Sequence, residues 1–131
     1  MTAVDTNIVV RFMTRDDPEQ AAAAKSIFAE KDIWISKTVI LEVCWVLTSV
    51  YGFDEISVGI AFRKLFGFHN IQAEDALNVA SALALVAEGI GFADAMHLAS
   101  RPAGAAFLSF DKKSILRAKR SGVANISTIE G

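Results

Sequence analysis

The stretch Ile33-Trp34-Ile35-Ser36-Lys37-Thr38-Val39-Ile40-Leu41-Glu42-Val43-Cys44-Trp45-Val46-Leu47 decides the fold. Its first three residues are β-branched or aromatic and read as a short buried strand. Ser36 can then accept a hydrogen bond from a backbone N–H a few residues on, which starts a helix running to about Tyr51, with Gly52 ending it. Within that helix Glu42 is the single acid in an otherwise apolar run. Desolvating a lone carboxylate is too costly, so a buried Glu42 must be paired, protonated or bound to a cation.

Outward from this stretch the same strand-then-helix pattern recurs. Thr2 to Val4 reads as a strand ending at Asp5, followed by a helix over about 7–13. Asp17-Pro18 opens a helix to about residue 29, an acid at the cap and a proline at the first helical position. Asp54 caps a helix over 55–66, Asn70-Ile71-Gln72 is a third short strand, and an alanine-rich helix covers 74–88. Glu74 and Asp75 read as first-turn acids complementing that helix's dipole. Gly89 and Gly91 break it, and a helix over 93–100 carries Asp94. Residues 105–110 read as a buried strand leading into Asp111, then a helix over 112–121 stopped by Gly122, then a last strand over 126–129. Strands alternating with helices imply one α/β domain over 1–131, with a mostly parallel central sheet covered by helices on both faces.

The 131 residues are 53% hydrophobic, rich for a soluble domain, and the excess apolar surface points to a partner. No run reaches the roughly 18 apolar residues of a membrane span; the closest, 76–87, carries Asn78 and Ser81. The start has no basic region followed by an apolar one, so no secretory signal is expected and the compartment is the cytoplasm. A single cysteine, Cys44, excludes a disulfide framework and a Cys-rich zinc site, and reads as an inert packed thiol. A net charge of −2 argues against coating nucleic acid through bulk positive charge.

In open α/β sheets ligands bind at the carboxyl ends of the strands. Asp5 and Asp111 follow strands, Glu42 lies in the helix after the second strand, and Asp94 in the first turn of its helix, so four acids from four distant segments can converge. Asp5, Asp94 and Asp111 also each have an ordinary reading as helix caps. Gathered carboxylates repel one another unless a cation compensates. An oxygen-only set suits Mg²⁺ or Mn²⁺, whereas zinc favours His and Cys, and such a site suits phosphodiester hydrolysis with one ion or two. His97, three residues after Asp94 on the same helical face, could be a ligand, a general base or a packed histidine, of which the packed reading is favoured, and Phe62, Phe66 and Phe68 read as core or interface. Lys112, Lys113, Arg117, Lys119 and Arg120 after Asp111, with Arg11 and Arg15 after Asp5, are candidates to hold nucleic-acid phosphates or are solvated helix faces.

Five segments together carry a family resemblance: Val4-Asp5-Thr6-Asn7-Ile8-Val9; Asp17-Pro18-Glu19-Gln20; Ile35-Ser36 with Leu41-Glu42-Val43-Cys44-Trp45-Val46-Leu47; Phe92-Ala93-Asp94-Ala95-Met96-His97-Leu98-Ala99; and Leu108-Ser109-Phe110-Asp111-Lys112-Lys113. Over nearly its whole length the chain resembles the PIN-domain ribonucleases, and within them the VapC-type toxins of bacterial toxin–antitoxin pairs. The resemblance implies a PIN-like three-layer fold and a Mg²⁺- or Mn²⁺-dependent endoribonuclease. It makes Asp5, Glu42, Asp94 and Asp111 the catalytic, metal-binding acids, the fourth being the most variable of the family's set, with Thr6, Asn7 and Ser109 as polar neighbours. It implies as well an RNA substrate, a homodimer, and a small VapB-like antitoxin that occludes the site and wraps an apolar groove. The alternatives are a non-toxin RNA-processing nuclease and a catalytically dormant PIN-fold binding domain. A haloacid-dehalogenase-like phosphatase would need Asp-x-Asp-x-Thr, where this chain has Asp5-Thr6-Asn7-Ile8-Val9.

Overall fold

Five helices of the chain start by the same local rule. In the computed structural model, which describes residues 1–129, the side chains of Asp5, Asp17, Ser36, Asp54 and Asp111 each accept a hydrogen bond from the backbone N–H three residues on. Each bond satisfies one of the donors that a helix start leaves without a partner. The helices begun this way are α1 (Thr6–Thr14), α2 (Pro18–Glu30), α3 (Lys37–Ser49), α4 (Glu55–Leu65) and α7 (Lys112–Arg120), with α5 (Ala76–Ala87) and α6 (Phe92–Ser100) between the last two. The strands are β1 (Thr2–Ala3), β2 (Ile33–Ile35), β3 (Ile71–Ala73), β4 (Phe107–Ser109) and β5 (Ile126–Thr128). Of the expected span 1–131, residues 130–131 lie outside the described residues.

All strand pairing is parallel, as the alternation implies, and it divides into two sheets among the described residues. One has the order β1-β2-β3, with Thr2 opposite Ile33 and Ile33 opposite Ile71. The other pairs β4 with β5, Phe107 opposite Ile126. The α/β fold is thus as expected, but no ladder joins β1 to β4. The carboxyl ends of β1, β2 and β3 lead into Asp5, Ser36 and Glu74, which therefore share one edge.

Period-2 burial sets the register: Ile33 and Ile35 are buried with Trp34 half-buried between them, and Ile71 and Ala73 are buried around an exposed Gln72. Beneath them lies one continuous apolar cluster that includes Val9 and Val10 of α1, Ile40 and Val43 of α3, Phe62 of α4 and Phe92 of α6. Phe62 and Phe92 have no more than 1% exposure and meet at a tilted 6.1 Å, which ties α4 to the start of α6. Ile115 and Ala118 of α7 and Ile126 of β5 reach the same cluster from the second sheet.

Two readings of burial are corrected. The strand expected to be buried over 105–110 is half open: Leu108 is exposed and Phe110 is 70% exposed, because a two-stranded sheet leaves one face bare. Glu74 and Asp75 do not lie in the first turn of α5. Glu74 Oε1 instead accepts from Lys37 N at 2.9 Å at the start of α3, and Asp75, in the left-handed region at φ 52°, pairs with Lys37 Nζ at 2.6 Å. That bond holds Asp75's carboxyl below its ordinary range, helped by Asn78.

Candidate active site

The four candidate acids are accessible, which overturns the expectation of a buried Glu42. Asp5, Glu42 and Asp111 are exposed, Asp94 is half-buried, and no charged residue is buried among those described. The helical repeat is the reason: Thr38, Glu42, Trp45 and Ser49 fall on one stripe of α3, and all four are exposed. Glu42 is the acid of a solvent-facing stripe, opposite the buried face formed by Ile40, Val43, Cys44 and Leu47.

One hydroxyl donates to one acid of each pair. Thr6 Oγ1 donates to Glu42 Oε1, while its neighbour Asp5 caps α1 through Ile8 N at 3.1 Å. Ser114 Oγ donates to Asp94 Oδ2 at 2.8 Å, and the backbone N–H of Ser114 donates to Asp111 Oδ1 at 3.0 Å. Ser109 Oγ in turn accepts from Asp111 N at 3.0 Å, which fixes the turn between β4 and α7. The cap reading therefore holds for Asp5 and Asp111, whereas Asp94 lies within the first turn of α6, whose cap position is Gly91. No hydrogen bond among the described residues joins one pair to the other, and no three His, Cys, Asp or Glu side chains there sit closely enough to hold a metal ion.

The donor chemistry nevertheless fits a hard divalent cation. Every candidate ligand offers carboxylate oxygen, each is reachable from solvent, and the one cysteine is buried. Asn7 is exposed beside Asp5, and the two line one end of a groove of about 260 Å³ between α1 and α2, with Ile8, Arg11, Gln20 and Ile27 further along it.

The candidate phosphate-binding cations separate into engaged and exposed. Arg11 is held by Asp16 at 2.8 Å, Gln20 at 2.7 Å and Tyr51 at 3.2 Å. Tyr51 also donates to Asp16 at 2.6 Å, and together with Thr14 and Arg11 it holds the Asp16 carboxyl down at about 2. Arg15 ends α1, ten residues from Asp5 and so roughly 15 Å along the helix. It lines a concavity of about 540 Å³ at the amino ends of β2 and β3 with Phe12, Lys25, Phe28, Phe68 and His69, where no candidate acid lies. Lys112 and Lys113 are exposed beside Asp111, and Arg117 donates to Gly89 O at 2.8 Å.

His97 is exposed, which corrects its reading as a packed histidine. Cys44 is the buried thiol expected, and burial, with Glu55 adding charge repulsion, pushes it up to about 12. Phe62 and Phe66 stack at 5.8 Å in and beside the core, while Phe68 is exposed.

Two residues escaped the sequence reading. Glu55 Oε1 accepts from Phe92 N at 3.2 Å, supplying the capping bond at α6 that Gly91 cannot, and so braces the turn that carries Asp94. Ser114 has a local signal only in its position three after the capping Asp111; its bond to Asp94 is tertiary.

The PIN domain model matches residues 2–120, which covers all four acids and both donating hydroxyls. No curated protein and no solved structure matches the chain. PIN domains are generally nucleases and typically depend on divalent metal. With the family's span containing the whole acid set and the parallel α/β frame that carries it, the chain belongs to the PIN domain family.

Proposed function

We propose that the chain is a Mg²⁺- or Mn²⁺-dependent endoribonuclease acting as the toxin of a cytoplasmic toxin–antitoxin pair. The observation that supports this reading is the set of four solvent-accessible acids in a PIN domain, Glu42 bonded by Thr6, the neighbour of Asp5, and Asp94 and Asp111 both bonded by Ser114. These four carboxylates would hold the cation. When bound, it supplies an activated water and neutralises charge on the phosphoryl oxygens.

The chain's own groups have separate tasks. Thr6 and Ser114 each occupy one carboxylate oxygen and orient the acid, Ser109 sets the turn that presents Asp111, and Asn7 offers an amide beside Asp5. Lys112 and Lys113, exposed beside Asp111, suit the RNA phosphates better than Arg11, which is engaged, or Arg15, which is remote. The half-apolar groove from Asp5 to Ile27 suits an antitoxin segment that covers the site. Exposed Val50, Phe53, Ile56 and Ile60, from the end of α3 through the following turn to α4, suit a homodimer contact.

The test is cleavage of tRNA, rRNA and mRNA by purified protein with Mg²⁺ or Mn²⁺, with chelator, and with Asp5→Asn in parallel. Metal-dependent cutting lost in the variant is expected. Full cutting by Asp5→Asn, or cutting undiminished by chelator, would sink the assignment.

A further inference from the structure

The unit formed by β4, α7 and β5 carries Asp111, and a small number of polar bonds pin it to the rest of the chain. Arg101, at the end of α6, donates to the carbonyls of Ala105, Ala124 and Asn125 at 2.9 to 3.1 Å. Arg117 donates to Gly89 O. Those bonds end on backbone, whereas the bond from Ser114 Oγ ends on Asp94, a candidate metal ligand.

Ser114 spends its two donors differently. Its backbone N–H serves the Asp111 cap, a bond that any residue except proline could make at that position. Its hydroxyl does nothing for the cap and goes to Asp94 Oδ2. Asp94 Oδ1 and Asp111 Oδ2 then have no hydrogen-bond donor among the described residues. We propose that Ser114 is a positioning residue: its hydroxyl sets the rotation of the Asp94 carboxylate and couples it to Asp111, leaving one oxygen of each for a divalent cation. This rests on the reading that these acids bind such a cation.

Alanine at 114 removes the hydroxyl and keeps the cap, so the substitution isolates the proposed contact. The experiment is Mn²⁺ binding to the full chain without RNA, followed by titration calorimetry, with the thermal midpoint in chelator and the Mn²⁺ dependence of RNA cleavage alongside. Groups that orient a ligand typically change metal affinity 10–100-fold, so Ser114→Ala is expected to weaken Mn²⁺ about tenfold, with Ser114→Thr, which keeps the hydroxyl, within about threefold of the parent. The cleavage curve should shift to higher Mn²⁺ by the same factor.

Unchanged Mn²⁺ affinity in Ser114→Ala, with the parent binding and cutting, overturns the positioning role and leaves the nuclease reading intact. Equal loss of affinity in Ser114→Ala and Ser114→Thr, with lowered midpoints in both, reduces Ser114 to a structural contact and also overturns it. A parent chain that binds no Mn²⁺ removes the nuclease reading and this inference together. If Ser114→Ala fails to fold, Ser114→Cys, close in size and a weaker donor, takes its place under the same criteria.

Discussion

Glu42 is bonded by Thr6, the neighbour of Asp5, and Asp94 and Asp111 are both bonded by Ser114, but the first link lies over one sheet and the second spans the joint between two. Helices α1 and α3 rest on the three-stranded sheet, with Val9, Ile40 and Val43 fully buried between them. The amino-terminal pair is therefore held by close packing that can hardly deform. The carboxy-terminal pair spans α6 on that body and α7 on the two-stranded sheet. Its geometry depends on how the second unit is seated. Similar chemistry is mounted once rigidly and once across a joint, and the cation site proposed on these acids would have its weakest tolerance at Asp111.

The largest expected effect is on cleavage. On the proposed reading, Asp5→Asn in the rigid half should lower the rate about a hundredfold or more, and Asp111→Asn, which keeps the cap, about tenfold. Single-turnover rates at saturating Mn²⁺ would measure both, and equal losses would erase the distinction between the halves. Next comes the body itself: Phe62→Ala should destabilise by about 3–5 kcal/mol in chemical denaturation, since it empties a fully buried site. A cost near that of an exposed substitution would show that α4 does not anchor the start of α6.

At the joint, Arg101→Ala removes its bonds to three backbone carbonyls, of which Asn125 O keeps the Phe107 N–H, and should cost about 1 kcal/mol. Its effect on hydrogen exchange should concentrate over residues 107–128 and spare 33–47; uniform acceleration would mean that the two units open together. The smallest effect concerns the brace near Asp5. Asp16 is held at about 2, first by the Tyr51 hydroxyl, so the stabilisation it brings is present above its unfolded value and disappears as pH falls through about 2. In Tyr51→Phe an NMR titration should find Asp16 moved up toward 3.8. An unmoved titration would assign the depression to Arg11 and Thr14 instead.

How much of this was legible in the chain follows from which interactions are local. The caps at Ser36 and Asp54 and the apolar core of α3 are written in neighbouring residues, and the helices start where those residues say. The four acids stand out in the sequence through strand ends and motif, and the fold leaves them accessible. Glu42's exposure was legible in principle, since Thr38, Glu42, Trp45 and Ser49 share one helical stripe, but counting apolar neighbours along the chain hides a pattern that exists only around the axis. The exposure of Leu108 and Phe110 depends on how many strands pair with β4, which no residue of β4 encodes. Glu74 and Ser114 act through partners far away in sequence, Lys37 and Asp94, and their roles appear only once the fold brings those partners close.

The stripe that carries Glu42 has an optical consequence. Trp45 lies one turn further along it and is 64% exposed, whereas Trp34 is half-buried in β2. The chain's fluorescence therefore combines a water-facing indole beside the acids with a second one shielded in the sheet. A macromolecule lying across the acid edge would dehydrate the first and shift its emission to shorter wavelength, while the second stayed constant as an internal reference. The protein thus carries its own label-free gauge of occupancy, which would respond to a non-cleavable RNA or a covering partner with no need for turnover.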